Sequence, residues 1–66
     1  MNPTIHQSGI KSVSFGAEVT VVEPVNLYGC TIGAHVFIGP FVEIQKGAKI
    51  GDRTKVQSHS FIYTSN

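Results

Sequence analysis

Ile32-Gly33-Ala34-His35-Val36-Phe37-Ile38-Gly39-Pro40-Phe41-Val42-Glu43-Ile44-Gln45-Lys46-Gly47-Ala48-Lys49-Ile50-Gly51-Asp52-Arg53-Thr54-Lys55-Val56 is the stretch that decides the fold. An aliphatic residue recurs at every sixth position, from Ile32 through Ile38, Ile44, Ile50 and Val56 to Ile62. An α-helix repeats near 3.6 residues and a half-buried strand near 2, so neither accounts for this period. A six-residue unit fits a β-solenoid, in which each unit forms one flat side of a coil. The second slot of the unit holds Gly33, Gly39, Gln45, Gly51, Gln57 and Tyr63, and the fifth holds Val36, Val42, Ala48, Thr54, Ser60 and Asn66. A large aliphatic fills a narrow interior, and a small fifth residue shares the space beside it. Glycine in the second slot is expected to supply the backbone angles of a corner.

Outward from that stretch, short apolar pieces alternate with turn residues at Gly29, Gly33, Gly39-Pro40, Gly47 and Gly51-Asp52. No amphipathic helix is visible, and the chain reads as all-β. Upstream the phase changes. Val13, Val19 and Val25 are also six apart, but Val25 to Ile32 is seven. A one-residue insertion near Asn26–Tyr28 would reconcile the two series. An alternative keeps Asn26 in phase with Ile32 and puts Cys30 at the small slot. Glu23-Pro24 is expected to mark a loosened corner, since proline cannot donate to a ladder. Residues 1–12 read as a weak first turn or a disordered lead.

The chain has 66 residues and reads as a single domain. A chain this short buries only about 60% of its surface on folding. An open solenoid leaves unpaired backbone and apolar side chains at both ends. Cys30 is the only cysteine, so no disulfide within the chain can staple it, and no metal cluster is visible. Self-association is the remaining route. A formal charge of +1 with no basic run argues against nucleic-acid binding. No apolar stretch is long enough to span a membrane, and no signal peptide is evident. A lone thiol suits a reducing compartment, so a cytoplasmic location is expected.

The repeat resembles the hexapeptide-repeat family: aliphatic, then Gly/Ala/Asp/Glu, two free positions, a small residue and one more free position. The resemblance covers residues 32–66, where the units are well phased. It implies a left-handed parallel β-helix of about three coils, with three units per coil, and a homotrimer. The left hand comes from the resemblance, because parallel crossovers are otherwise right-handed.

With three units per coil, residues 18 apart stack. One face then carries Phe41 under His59 and Glu43 under Phe61; another carries His35 beside Arg53 and Phe37 beside Lys55. Phe41 and Phe61 fall in outward or corner slots, where exposed aromatics mark a subunit interface. His59, flanked by a carboxylate such as Glu43, is a candidate general base. Its bland alternative is an edge histidine bonded to a neighbour. His35 reads as solvated surface, His6 as surface, Cys30 as a small buried thiol, and Asn26 as a structural asparagine.

The segments Val25-Asn26-Leu27-Tyr28-Gly29-Cys30-Thr31-Ile32-Gly33, Val36 to Gln45, and Lys55 to Ile62 are similar to the N-terminal part of bacterial N-acetyltransferases of nucleotide-linked amino sugars. That resemblance implies acetyl-CoA as donor, an amine on a UDP- or dTDP-sugar as acceptor, and an active site between subunits. It implies that His59 deprotonates or orients the amine, and that Gln57 and Glu43 contact substrate. Those enzymes continue for several more coils. The chain is therefore expected to be truncated, with an incomplete cofactor site and uncertain activity alone. A non-catalytic trimeric scaffold or interaction module is the competing reading. A zinc enzyme of the γ-carbonic anhydrase type is disfavoured, because His35 and His59 are 24 apart and lie on different faces.

Overall fold

The computed structural model describes residues 9–64. Within them the chain forms ten short strands. They are β1 (Gly9–Lys11), β2 (Ser14–Phe15), β3 (Thr20–Val21), β4 (Val25–Tyr28), β5 (Thr31–Ile32), β6 (Phe37–Ile38), β7 (Val42–Ile44), β8 (Lys49–Ile50), β9 (Lys55–Val56) and β10 (Phe61–Ile62). Every pairing is parallel, and each strand pairs with the one three further along. The result is three sheets, ordered β1-β4-β7-β10, β2-β5-β8 and β3-β6-β9. This is a parallel β-solenoid of about three turns, as the six-residue period requires. Strands are short because each flat side holds little more than an outward sixth-slot residue and an inward first-slot residue before the next corner.

The interior is a stack of aliphatics. Leu27 pairs with Ile44, Ile32 with Ile50, and Ile38 with Val56. The largest fully buried side chains are Leu27, Ile32, Ile38, Ile44, Val36 and Val42. Parallel sheets generally need cover. Here the three sheets cover one another's inner faces and leave their outer faces to solvent. The middle of the stack is packed from above and below. In the first described coil the inward Ile10 and Phe15 stay exposed, and among the described residues they have a neighbouring coil on one side only.

The upstream phase differs from both expectations. Gly9 pairs with Asn26, Ser14 with Thr31 and Thr20 with Phe37, all steps of 17 residues. Thr31 pairs with Lys49, Phe37 with Lys55 and Glu43 with Phe61, all steps of 18. A residue is therefore missing from the earlier coils, and there is no insertion. The tight corner Tyr28-Gly29-Cys30 does the work of Gln45-Lys46-Gly47-Ala48 one coil later. Val25 pairs with Val42 and so sits in the small slot, with Val13 and Val19 in phase with it. The large slot runs Ile10, Phe15, Val21, Leu27 and Ile32. Asn26 is not in phase with Ile32; it pairs with Glu43 on the outer face. Cys30 does take the small slot and is buried. Valine fits either interior slot by size, so residue type could not fix the register. The expected lead at residues 1–12 is partly structured, since Gly9–Lys11 form β1; residues 1–8, including His6, lie outside the described residues.

The reason for glycine in the second slot also changes. The left-handed backbone lies in the fourth slot, at His35 (φ 57°), Phe41 (59°), Arg53 (61°) and His59 (63°) as well as Gly47 (88°). Such angles cost an L-residue roughly 1–2 kcal/mol. Ladder bonds hold them: His35 N–H donates to the Ala17 carbonyl at 2.8 Å, Phe41 N–H to Pro24 at 2.7 Å and Arg53 N–H to Ala34 at 2.8 Å. Gly33 and Gly39 have no such φ. They leave room for the coil above. A Cβ on Gly33 would meet the Asp52 carboxylate, and would lie 2.8 Å from the Asp52 nitrogen.

Candidate functional site

The corner before β4, β7 and β10 repeats three slots in register. Pro24, Phe41 and His59 form the turn, Val25, Val42 and Ser60 point inward, and Asn26, Glu43 and Phe61 point outward. These nine residues line an open groove of about 540 Å³. Phe41 and His59 occupy the same left-handed fourth slot on successive coils, which sets one ring over the other. Their centroids are 5.1 Å apart and their planes 14° from parallel. This is the stack that counting in units of 18 anticipates. Phe41 is 57% exposed and Phe61 56%. Ser60 sits at an inward slot because its hydroxyl donates back to the Gln57 carbonyl at 2.6 Å. Thr54 does the same to Gly51 at 2.8 Å.

The polar wall of the groove is Glu43. Its Oε2 accepts from Gln45 Nε2 at 3.0 Å and from the Tyr28 hydroxyl at 3.4 Å. Tyr28 and Gln45 both sit in the second slot, one coil apart, beside the Asn26–Glu43 pair on the outer face. Desolvation raises the Tyr28 hydroxyl above its usual range; the Glu43 charge and hydrogen bond add to that, and Gln45 opposes it. Further up the same face, Tyr63 is tilted against Phe61 with centroids 5.6 Å apart. Glu43, expected to flank His59, shares the groove with it, while its carboxylate bonds along its own sheet to Tyr28 and Gln45. Gln57 is exposed, sits on the far side of the turn and does not line the groove. The structure thus brings together Phe41, His59, Glu43 and Phe61, and leaves Gln57 outside.

The remaining sequence candidates sit elsewhere. His35 Nδ1 is 3.0 Å from Glu18 Oε2, on the charged corner that also carries Arg53. Both partners are exposed, and such pairs contribute about 0–1 kcal/mol. Phe37 pairs with Lys55, whose Nζ lies 5.7 Å from the ring centroid. Burial pushes the Cys30 thiol up, against backbone hydrogen bonds that lower it. That is the setting of an unreactive structural thiol. Asn66 lies outside the described residues. Among the described residues no group of three or more His, Cys, Asp or Glu could hold a metal ion, and no helix is long and apolar enough to cross a membrane.

Sequence reasoning missed two features of the groove, Asn26 in its wall and the Tyr28–Gln45 clamp on Glu43. The signal was the 17-residue spacing of Asn26 to Glu43 and Tyr28 to Gln45, hidden by the assumption of a constant step.

A family model described as bacterial transferase hexapeptide (six repeats) matches residues 29–64. No curated protein and no solved structure gives a match. The matched span holds the Phe41–His59 stack, Glu43, Gln45 and Phe61, and begins after Asn26 and Tyr28.

Proposed function

The chain belongs to the bacterial transferase hexapeptide family, and from that premise we propose that its groove binds the acceptor of an acetyl transfer, the amine of a nucleotide-linked sugar. The observation that carries this reading is the exposed Phe41–His59 stack at the mouth of a groove whose other wall is Glu43. An imidazole stacked on a neighbour is oriented, yet keeps its ring edge for a hydrogen bond. His59 would take the proton of the attacking amine. Glu43 would contact the acceptor from the groove wall, and Gln57, outside the groove, would touch only a part of the acceptor that extends past the turn.

Acetyl-CoA is the donor that the family resemblance implies. The groove holds the sugar end of the acceptor and neither nucleotide, because none of the nine lining residues is Lys or Arg to meet the phosphates of acetyl-CoA or of the nucleotide-linked sugar. The described coils contribute to the acceptor side. Replacing His59 with alanine should lower the acetyl transfer rate by about 10²- to 10⁴-fold, the usual worth of a positioned base. Release of free thiol from acetyl-CoA, with UDP- and dTDP-linked amino sugars as acceptors, measures it. A rate unmoved by His59→Ala would remove the role assigned to that residue.

The same face is proposed to pair subunits in a homotrimer. Phe41, Phe61 and Tyr63 are each more than half exposed on adjoining slots, and large aromatics left to water favour association. Light scattering at micromolar concentration should give three times the chain mass, and Phe61→Ser should shift it towards monomer. A wild-type monomer would contradict the assignment. One observation favours the competing reading, a non-catalytic trimeric scaffold: Glu43 is bonded to Tyr28 and Gln45 instead of facing His59. Absence of heat on titrating the protein with millimolar acetyl-CoA would favour that scaffold.

A further inference from the structure

We propose that Asn26 and Glu43 together read the hydroxyl groups of the acceptor's sugar ring, and that Tyr28 and Gln45 are positioning residues that fix the Glu43 carboxylate for that task. This rests on the acceptor reading given above and adds residues to it.

The argument begins with the register. Asn26 pairs directly with Glu43 on the outer face, and both line the groove. Opposed side chains on neighbouring strands lie about 5 Å apart. Two planar polar groups at that spacing can bridge neighbouring hydroxyls of one ring. Glu43 accepts only; the Asn26 carboxamide both donates and accepts. A hydroxyl can donate to the one and accept from the other.

The clamp supplies the second observation. Tyr28 and Gln45 bond the same oxygen, Oε2. Among the described residues nothing bonds Oε1, and nothing bonds the Asn26 side chain. Among the described residues no buried polar side-chain atom lacks a partner, so these groups reach solvent at the groove. A carboxylate held through one oxygen presents the other in a fixed direction, which lowers the ordering cost of binding. The aromatic neighbours Phe41 and Phe61 give the apolar flanks that ring carbons need. Ligand sites of this kind combine apolar walls with a few convergent polar groups, and Asn26 and Glu43 are the polar pair here.

Calorimetry or protein-observed NMR on the intact protein tests this, with UDP-glucosamine and dTDP-glucosamine as probes, each compared with its own nucleoside diphosphate. The sugar is expected to add affinity. Asn26→Ala and Glu43→Gln should each reduce that increment about tenfold and Tyr28→Phe about threefold, the worth of one hydrogen bond in this setting. Affinity for the bare nucleoside diphosphate should stay unchanged in all three. That split separates positioning from a structural role, which would lower both affinities together. If the increment survives in the variants, or both affinities fall in parallel, this assignment is wrong and the acceptor reading stands. If the wild type gains nothing from the sugar, the assignment is also wrong. If the wild type binds none of the four probes, both fail.

Discussion

Gly33→Ala is expected to cost the fold several kcal/mol, whereas Gly51→Ala, one coil later in the same slot, is expected to cost little. The two glycines look alike in sequence: each follows a large-slot isoleucine and lacks a left-handed φ. Their neighbours differ. A Cβ on Gly33 would run into the Asp52 carboxylate and would lie 2.8 Å from the Asp52 nitrogen and 2.9 Å from the Gly51 carbonyl carbon. Two of these atoms are backbone and cannot swing aside. The carboxylate is also committed, since it accepts from the Ala34 N–H at 2.8 Å. Accommodating the methyl would push apart the coils joined by Gly33 N–H to the Ile50 carbonyl at 2.8 Å. Overpacking of this sort costs about 1–3 kcal/mol, and the loss of ladder bonds adds to it. A Cβ on Gly51 meets nothing closer than the Thr54 hydroxyl at 3.9 Å. Against a total stability of roughly 3–10 kcal/mol for a domain of this size, the first change is severe. Urea unfolding followed by circular dichroism, at one fixed protein concentration, would measure both. Equal midpoints for the two variants would mean that the coils do not approach at Gly33 as described.

Ile38→Ala should be comparably damaging, at about 2–5 kcal/mol. Ile38 is fully buried and pairs with Val21 below and Val56 above. A prism one side chain wide has no second layer to close over the gap, so the cavity persists. The control is Ile62→Ala. Ile62 holds the same slot in β10 but is only half-buried, and it pairs with Ile44 on one side. Its truncation removes less contact and should cost well under half as much. Losses of equal size at the two positions would contradict the layered interior.

Legibility varied along the chain with the constancy of the step. From Ile32 onward each unit is six residues, so counting alone put Phe41 against His59, Glu43 against Phe61 and Phe37 against Lys55, as the structure has them. Before Ile32, the short corner at Gly29 breaks the count. The three valines fit either interior slot, so the phase they suggest is not the observed one, and Asn26, out of phase with Ile32, lines the groove on the outer face. The second-slot glycines are in phase, as the period predicts, but they do not supply a corner's angles, and Gly33 leaves space for the next coil. Phase shows that a position is special; whether it needs an angle or an empty space depends on the atoms one coil away.

The partner of Glu43 shows the same division. Its outward slot and proximity to the His59 corner followed from periodicity. Its choice of Tyr28 and Gln45 over His59 did not, since that depends on side-chain direction across two coils. The sequence by itself determined a parallel coil, its aliphatic interior and the histidine–phenylalanine stack, because a fixed period maps directly onto a repeating backbone. Only the tertiary structure decided the register of residues 9–31, the role of Gly33 and the hydrogen-bond partners in the groove. Each of these turns on contacts between coils, which a period locates but does not resolve.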